Sequence, residues 1–297
     1  MASEPAAATP PSDSTNLGLR VVVAWLILSA IATPLVAIYV GPLIPPGNGS
    51  VQAQGQTFSN QVMVSLITPV LCLMAVFFAY GLIKFHARRS EAALDGPPLR
   101  NDSRIQILWL VITTTMVLFL AGFGTYELLK DGAGGGQGPN PVALPAGHQS
   151  AYPIQVIGQQ WEFTYRYPRL GGMESNQLVL PEHTLIVLHV TSLDVVHSFW
   201  AYQLGVKADA NPGTDNVAYV TTKGPLTFNV RCAELCGLWH GYMFNTGFVV
   251  SHKAFAHWAV HALAIYSSIK PYVNRSPANG GAPFSLTYFP APPGRAG

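Results

Sequence analysis

The sequence predicts a membrane-anchored all-β protein, with N-terminal transmembrane helices followed by a β-sandwich or barrel. Three observations lead there. Only 10% of the residues are charged and 49% are hydrophobic, whereas a soluble domain carries about 25% charged residues. Three long apolar runs without a single charge precede residue 127. From residue 153 onward, short apolar segments alternate with turn residues, which is the pattern of an all-β domain.

The apolar runs are 21–40, 62–83 and 105–126. At ~1.5 Å rise per residue each covers a hydrocarbon core of ~30 Å. Pro34 and Pro69 fall inside runs, which membrane helices tolerate when neighbouring groups satisfy the freed backbone. Lys84, Arg88, Arg89, Arg100 and Arg104 crowd the segment between the second and third runs, while 41–61 has no Lys or Arg. The basic loop belongs in the cytoplasm, which places residues 1–20 inside as a cytoplasmic tail and everything after Tyr126 outside. The first run stands where a signal peptide would, and Val51-Gln52-Ala53 has the look of a cleavage site. The run is longer than the ~7–15-residue apolar core of a signal, and Ala53 lies far past its end, so a retained span is expected.

The anchor is expected to end near residue 130, and 131–150 reads as a Gly/Pro-rich linker beginning DGAGGGQGPN. The β domain is expected over 151–251, with strands at 153–157, 160–167, 177–180, 184–191, 217–222, 226–232 and 246–251. Turns fall at Leu170-Gly171-Gly172, Pro181-Glu182-His183 and Asn211-Pro212-Gly213. Residues 252–297 are expected to form a C-terminal helix, over 253–269, and a Pro/Gly-rich tail. No βαβ alternation or Gly-rich phosphate loop appears, and a net charge of +2 without aromatic interleaving argues against nucleic acid.

The chemistry concentrates in CAELCGLWHGYM, from Cys232 to Met243. A structural disulfide between Cys232 and Cys236 would suit an exported domain but leaves His240 and Met243 unexplained. Zinc takes cysteine and histidine readily, but methionine is not among its usual ligands. The Cys-x-x-x-Cys spacing is not that of a thiol oxidoreductase, and c-type haem attachment would need Cys-x-x-Cys-His. Copper suits the whole set, since thiolate and thioether are soft donors and imidazole serves it too. Two thiolates on one loop can bridge two ions, each of which then needs a histidine and a weak axial donor. The loop supplies His240 and Met243, and the second imidazole must come from elsewhere: His197 in SLDVVHSFW follows the strand at 184–191, and His148, His183, His189, His252, His257 and His261 are the other exported histidines, any one of which by itself is more often structural than a ligand.

These residues carry a resemblance. The stretch DVVHSFW at 194–200, LGVKADANPG at 204–213 and the loop at 232–243, together with QWEFTYRYP at 160–168, closely resemble subunit II of cytochrome c oxidase. The resemblance implies a cupredoxin-like domain holding the dinuclear copper centre CuA. It makes His197, Cys232, Cys236, His240 and Met243 side-chain ligands and gives Glu234 a double role. The backbone carbonyl of Glu234 would be an axial donor, and its carboxylate would reach a magnesium or manganese ion shared with subunit I. Trp161 would be the electron-entry point from cytochrome c, Asp194 would lie close to the cytochrome docking face, and Lys207 and Asp209 would border subunit I. The implied partners are subunit I, which holds the haem, subunit III, and cytochrome c or a supercomplex-bound cytochrome. The implied location is a bacterial-type cytoplasmic membrane with the copper domain on the outer side.

Two departures qualify the pattern. Phe163 stands where many family members have a second tryptophan, and Leu193 where an acid is common. The β domain is only mildly acidic, so strong steering of a basic donor is not expected; docking would be more apolar, or the donor tethered or held in a supercomplex. Other classes give different readings: a quinol oxidase subunit II, which would lack the copper ligands, or a membrane-tethered copper-binding or cupredoxin-like carrier without an oxidase partner. Metal and haem content of the purified complex separates them. Cys72, in the second run, reads as a packing residue.

Overall fold

The computed structural model describes residues 14–84, 102–130 and 144–273. The first residues of the N-terminal tail, most of the basic loop, the Gly-rich start of the linker and the C-terminal tail lie outside the described residues. The chain forms two compact units, Met1–Ile44 with Asn60–Thr114 and Pro45–Ser59 with Thr115–Gly297.

Among the described residues, three helices are long and apolar enough to cross a membrane. Helix α1 (Ser14–Leu35) continues as a π-helical turn over Val36–Val40. Helix α2 spans Val51–Lys84 and α3 Ser103–Lys130. Asp102 accepts a hydrogen bond from the Arg104 amide at 2.9 Å at the start of α3, and Lys84 and Lys130 lie in the last turns of α2 and α3, where cations suit the helix dipole. Side chains such as Phe77, Ile83 and Leu118 remain exposed, as lipid-facing residues would. Within the first unit, Trp25 of α1 donates its indole N–H to the Pro69 carbonyl at 2.8 Å.

The described helices are longer than the apolar runs. Helix α2 starts at Val51, well before the run at 62, because its first turns are polar and hydropathy does not reveal them. They are nonetheless structured. Ser50 Oγ accepts the Ala53 amide at 2.9 Å as a helix cap, and Gln52 and Ala53 are buried. This stretch is knitted into the β domain. Ser50 forms a β-bridge with Thr222, and the Lys223 amide donates to the Gly49 carbonyl at 3.0 Å. Gln52 Oε1 accepts the Thr221 amide at 2.8 Å, and Lys223 Nζ donates to Asn48 at 2.7 Å. Gly205, at φ +63°, permits the approach, since a Cβ there would lie 2.7 Å from the Ala53 backbone.

The β domain is two five-stranded sheets. Its strands are β1 (Tyr152–Gln159), β2 (Glu162–Tyr167), β3 (Met173–Ser175), β4 (Val179–Pro181), β5 (Leu185–Ser192), β6 (His197–Ala201), β7 (Val206–Ala210), β8 (Asn216–Thr221), β9 (Leu226–Cys232) and β10 (Phe244–Val250). One sheet runs β3-β2-β1-β5-β8, with β1 and β5 parallel, and the other β4-β10-β9-β6-β7. The fold is the cupredoxin-like sandwich expected for this anchor-plus-domain class. Its core holds Phe163, Tyr165, Tyr167, Phe199 and Phe228, all buried between the sheets. Helix α4 (His252–Val273) closes one edge, with Trp258 packed edge-on against Tyr167 at 5.0 Å between ring centroids.

Three strands escaped the pattern reading. β3 is three residues long. β6 contains His197, so that residue opens a strand of its own. β7 alternates inward Val206, Ala208 and Ala210 with outward Lys207 and Asp209, but alanine is a poor strand signal. Conversely, the strand expected from residue 160 begins at Glu162, because Gln160 and Trp161 form the two-residue turn between β1 and β2, whose ladder closes at the pair Gln159 and Glu162.

Candidate metal centre

The site lies at one end of the sandwich, where β6, β9 and β10 meet the β1–β2 turn. β9 and β10 are antiparallel neighbours, and the Cys232 amide donates to the Met243 carbonyl at 3.0 Å, closing the base of the 233–242 loop. The Ala233 amide donates to the Ser198 carbonyl at 2.9 Å and fastens the loop to β6. A short 3-10 turn, His240–Tyr242, brings the imidazole and Met243 back towards the cysteines.

Sulfur and nitrogen donors converge there. Cys232 Sγ and Cys236 Sγ are 3.8 Å apart. His197 Nδ1 lies 3.9 Å from Cys232 Sγ, and His240 Nδ1 lies 3.4 Å from Cys236 Sγ, so the rings flank the thiol pair. Met243 Sδ is 3.7 Å from Cys236 Sγ, and the Glu234 carbonyl is 3.2 Å from Cys232 Sγ. Among the described residues, His197, Cys232 and Cys236 form a group whose ligand atoms all lie within 4.8 Å of one another. His197 is fully buried, Met243 and Cys236 nearly so, and His240 is half-buried. Both thiols are free. Three sulfurs and two imidazole nitrogens around one small volume fit copper, whose soft donors these are, and fit zinc poorly because of the thioether.

Burial disfavours a bare thiolate at this site. Burial first, then the neighbouring Cys232, pushes the Cys236 thiol up to about 12. Asp194 behaves oppositely: its partial burial works against ionisation, but hydrogen bonds from His197 and from the Gln160 and Val195 amides prevail and hold the carboxyl below its ordinary range. Its Oδ1 lies 2.9 Å from His197 Nε2. With the carboxylate ionised, Nε2 carries the ring proton and Nδ1 keeps its lone pair towards the cysteines.

The remaining sequence-derived residues take distinct places. Trp161 is half-buried and donates its indole N–H to the Cys236 carbonyl at 3.1 Å. Glu234 is exposed on the loop itself. Lys207 and Asp209 sit on the outward face of β7, and Asp209 accepts the Ser198 hydroxyl at 2.7 Å. Asp194 is more tightly engaged than a docking residue need be, for its carboxylate serves His197, Gln160, Val195 and Ser192 at once. Phe163 packs edge-on to His197 at 6.3 Å. Pattern reading passed over Gln160, which donates Nε2–H to the Cys236 carbonyl at 2.8 Å, and Gly237, at φ +112°. A glycine directly after Cys236 is the one available signal. The rim is apolar, with Leu235, Leu238 and Tyr242 largely exposed and Trp239 edge-on to Tyr242 at 5.5 Å.

The chain is similar to several known proteins. A family model described as the periplasmic domain of cytochrome C oxidase subunit II matches residues 173–250. The cytochrome c oxidase subunit 2 of Synechocystis sp. is 29% identical over 230 residues, covering 66% of this chain and 69% of the relative. A probable cytochrome c oxidase subunit 2 of Rickettsia prowazekii is 29% identical over 208 residues, covering 62% of each chain. The crystal structure of the periplasmic domain of subunit II of cytochrome oxidase from Bradyrhizobium japonicum shares 32% identity over 39% of this chain and 95% of that domain, with a TM-score of 0.38.

Proposed function

The chain belongs to the cytochrome c oxidase subunit II family, and from that premise we propose that it is the electron-entry subunit of a haem–copper oxidase. It would accept electrons from cytochrome c, or from a supercomplex-bound cytochrome, and pass them to the haem of subunit I, where oxygen reduction is coupled to proton translocation. The observation that carries this reading is the convergence of Cys232, Cys236, His197, His240 and Met243 at one end of the sandwich.

In this reading Cys232, Cys236, His197, His240, Met243 and the Glu234 carbonyl would hold a pair of copper ions. Bound there, the copper would supply one-electron chemistry. The chain's own contribution is rigidity and exclusion of water. Cys232 and His197 are held at the ends of two β-strands and Cys236 on the loop after β9, with Phe163 packed against His197 and Phe199. Asp194 sets the tautomer of His197. Trp161, hydrogen-bonded to the ligand loop and half exposed, is the electron-entry residue. The exposed Glu234 carboxylate would meet a magnesium or manganese ion shared with subunit I, and Lys207 and Asp209 would border that subunit. The apolar rim of Leu235, Leu238, Trp239 and Tyr242 supports docking that depends little on charge. Subunit III is a further expected neighbour. The three apolar helices would lie in a bacterial cytoplasmic membrane with the β domain on its outer face.

The test is purification of the complex from the native membrane with metal and haem analysis. Two coppers assigned to this chain, with haem on its partner, are expected. Copper without any haem-bearing partner would overturn the oxidase assignment.

A further inference from the structure

We propose that Gln160 is a positioning residue that ties the two halves of the donor cluster together and sets their separation; this rests on the copper-holding reading above. The halves arrive on different parts of the fold. Four side-chain donors come from the end of β9 and the loop after it, whereas His197 comes from the start of β6. The ladder between β6 and β9 pairs Phe199 with Cys232 and Trp200 with Arg231, so His197 lies beyond its last pair. The ladder therefore does not determine where the His197 ring points. Asp194 does, by holding Nε2.

Gln160 joins that holder to the other half. Its backbone N–H donates to Asp194 Oδ2 at 2.7 Å, and its side-chain Nε2–H donates to the Cys236 carbonyl at 2.8 Å. The path His197–Asp194–Gln160–Cys236 runs outside the donor cluster and closes a ring around it. Trp161 reaches the same carbonyl at 3.1 Å, while Gln160 bonds both to that carbonyl and to the carboxylate that holds His197. Gly237 provides an independent observation. Its φ is +112°, and a Cβ built there would lie 3.0 Å from Gln160 Nε2, so the glycine leaves the space the amide fills. Gln160 is itself exposed and contributes little to the core, which makes a packing role a poor explanation of its two bonds.

The ring is tested in the full chain within its purified complex, with Gln160→Leu, which removes the side-chain donor, and Gln160→Glu, which keeps the shape but points an acceptor at the carbonyl. Both leave the backbone bond to Asp194. The expected result is wild-type copper stoichiometry with shifted visible and near-infrared bands and a shifted midpoint potential, the two variants alike. In the metal-free chain, amide hydrogen exchange across 233–242 should rise at least tenfold in both. Gly237→Ala, which crowds the Gln160 amide while leaving that residue unchanged, should also shift the bands. Wild-type bands, potential and exchange in both variants would overturn the proposal, as would parallel loss of copper and melting temperature, which would make Gln160 a folding residue. If the wild-type chain holds no copper, the function reading fails, and the exchange measurement on metal-free protein still decides whether Gln160 orders the loop.

Discussion

Asp194 holds His197 by its far nitrogen: Oδ1 is 2.9 Å from Nε2, while Nδ1 of the same ring faces Cys232 Sγ at 3.9 Å. The imidazole that faces the thiol pair is thus oriented from behind by a carboxylate whose hydrogen bonds with His197 and with two backbone amides hold it ionised.

Asp194→Asn should weaken copper binding by ~10–100-fold, the usual cost of losing an outer-shell partner of a ligand histidine. Chelator competition on the purified protein measures this. The Asp194 side chain is about one-third exposed, so the melting temperature should change little. Unaltered copper affinity would mean that something other than Asp194 sets the His197 ring.

Cys232→Ser or Cys236→Ser should abolish the copper pair together with its visible and near-infrared absorption and the oxidase activity with cytochrome c. The two Sγ atoms are 3.8 Å apart, and a single thiolate cannot bridge in the same way. The loss should exceed the ~10–100-fold effect of outer-shell changes. An unchanged copper count and spectrum in either variant would remove the bridging assignment.

Trp161→Phe separates electron entry from metal binding. The indole bonds to the Cys236 carbonyl but contributes no ligand atom, so copper content should stay full and reduction by cytochrome c should slow at least tenfold in stopped flow. Full copper with a wild-type rate would leave Trp161 as a packing residue of the β1–β2 turn.

The β domain should lose stability as pH rises above about 10. Burial raises the phenol pKa values of Tyr165 and Tyr167 above the ordinary 10.0. The unfolded chain sheds those protons first, so it binds fewer than the folded chain above pH 10 and stability falls with pH; below pH 10 the contribution is fully present. Phenolate absorbance followed with circular dichroism should show these two tyrosines ionising only as the fold is lost. Ionisation near pH 10 with structure intact would show that they are not sealed.

Much of the anchor and the ligand loop could be read directly. Apolar runs report on lipid whatever the tertiary structure, and Cys232, Cys236, His240 and Met243 are close in sequence because one loop carries them. His197 required the family resemblance, since a lone histidine carries no spacing of its own. The polar first turns of α2 were hidden because the β domain, not lipid, covers Gln52 and Ala53. β6 was hidden by Asp194 and the bend before it, and β7 by its alanines. Gln160 and Asp194 were least legible as a pair: 34 positions separate them, and their partnership exists only once the β1–β2 turn meets the start of β6.

The hold that residues 48–52 keep on Gln203, Leu204, Thr221, Thr222 and Lys223 has a consequence for how the β domain can be cut. The domain joins the apolar helices at two points of the chain, through Ala53 into α2 and through the linker after α3. A nick anywhere in 131–143 would sever only one of them. The two fragments would then behave as a split protein, with the 48–52 segment acting as a built-in affinity clasp. The break would register as a change in mass on a denaturing gel long before it registered as release of the β domain.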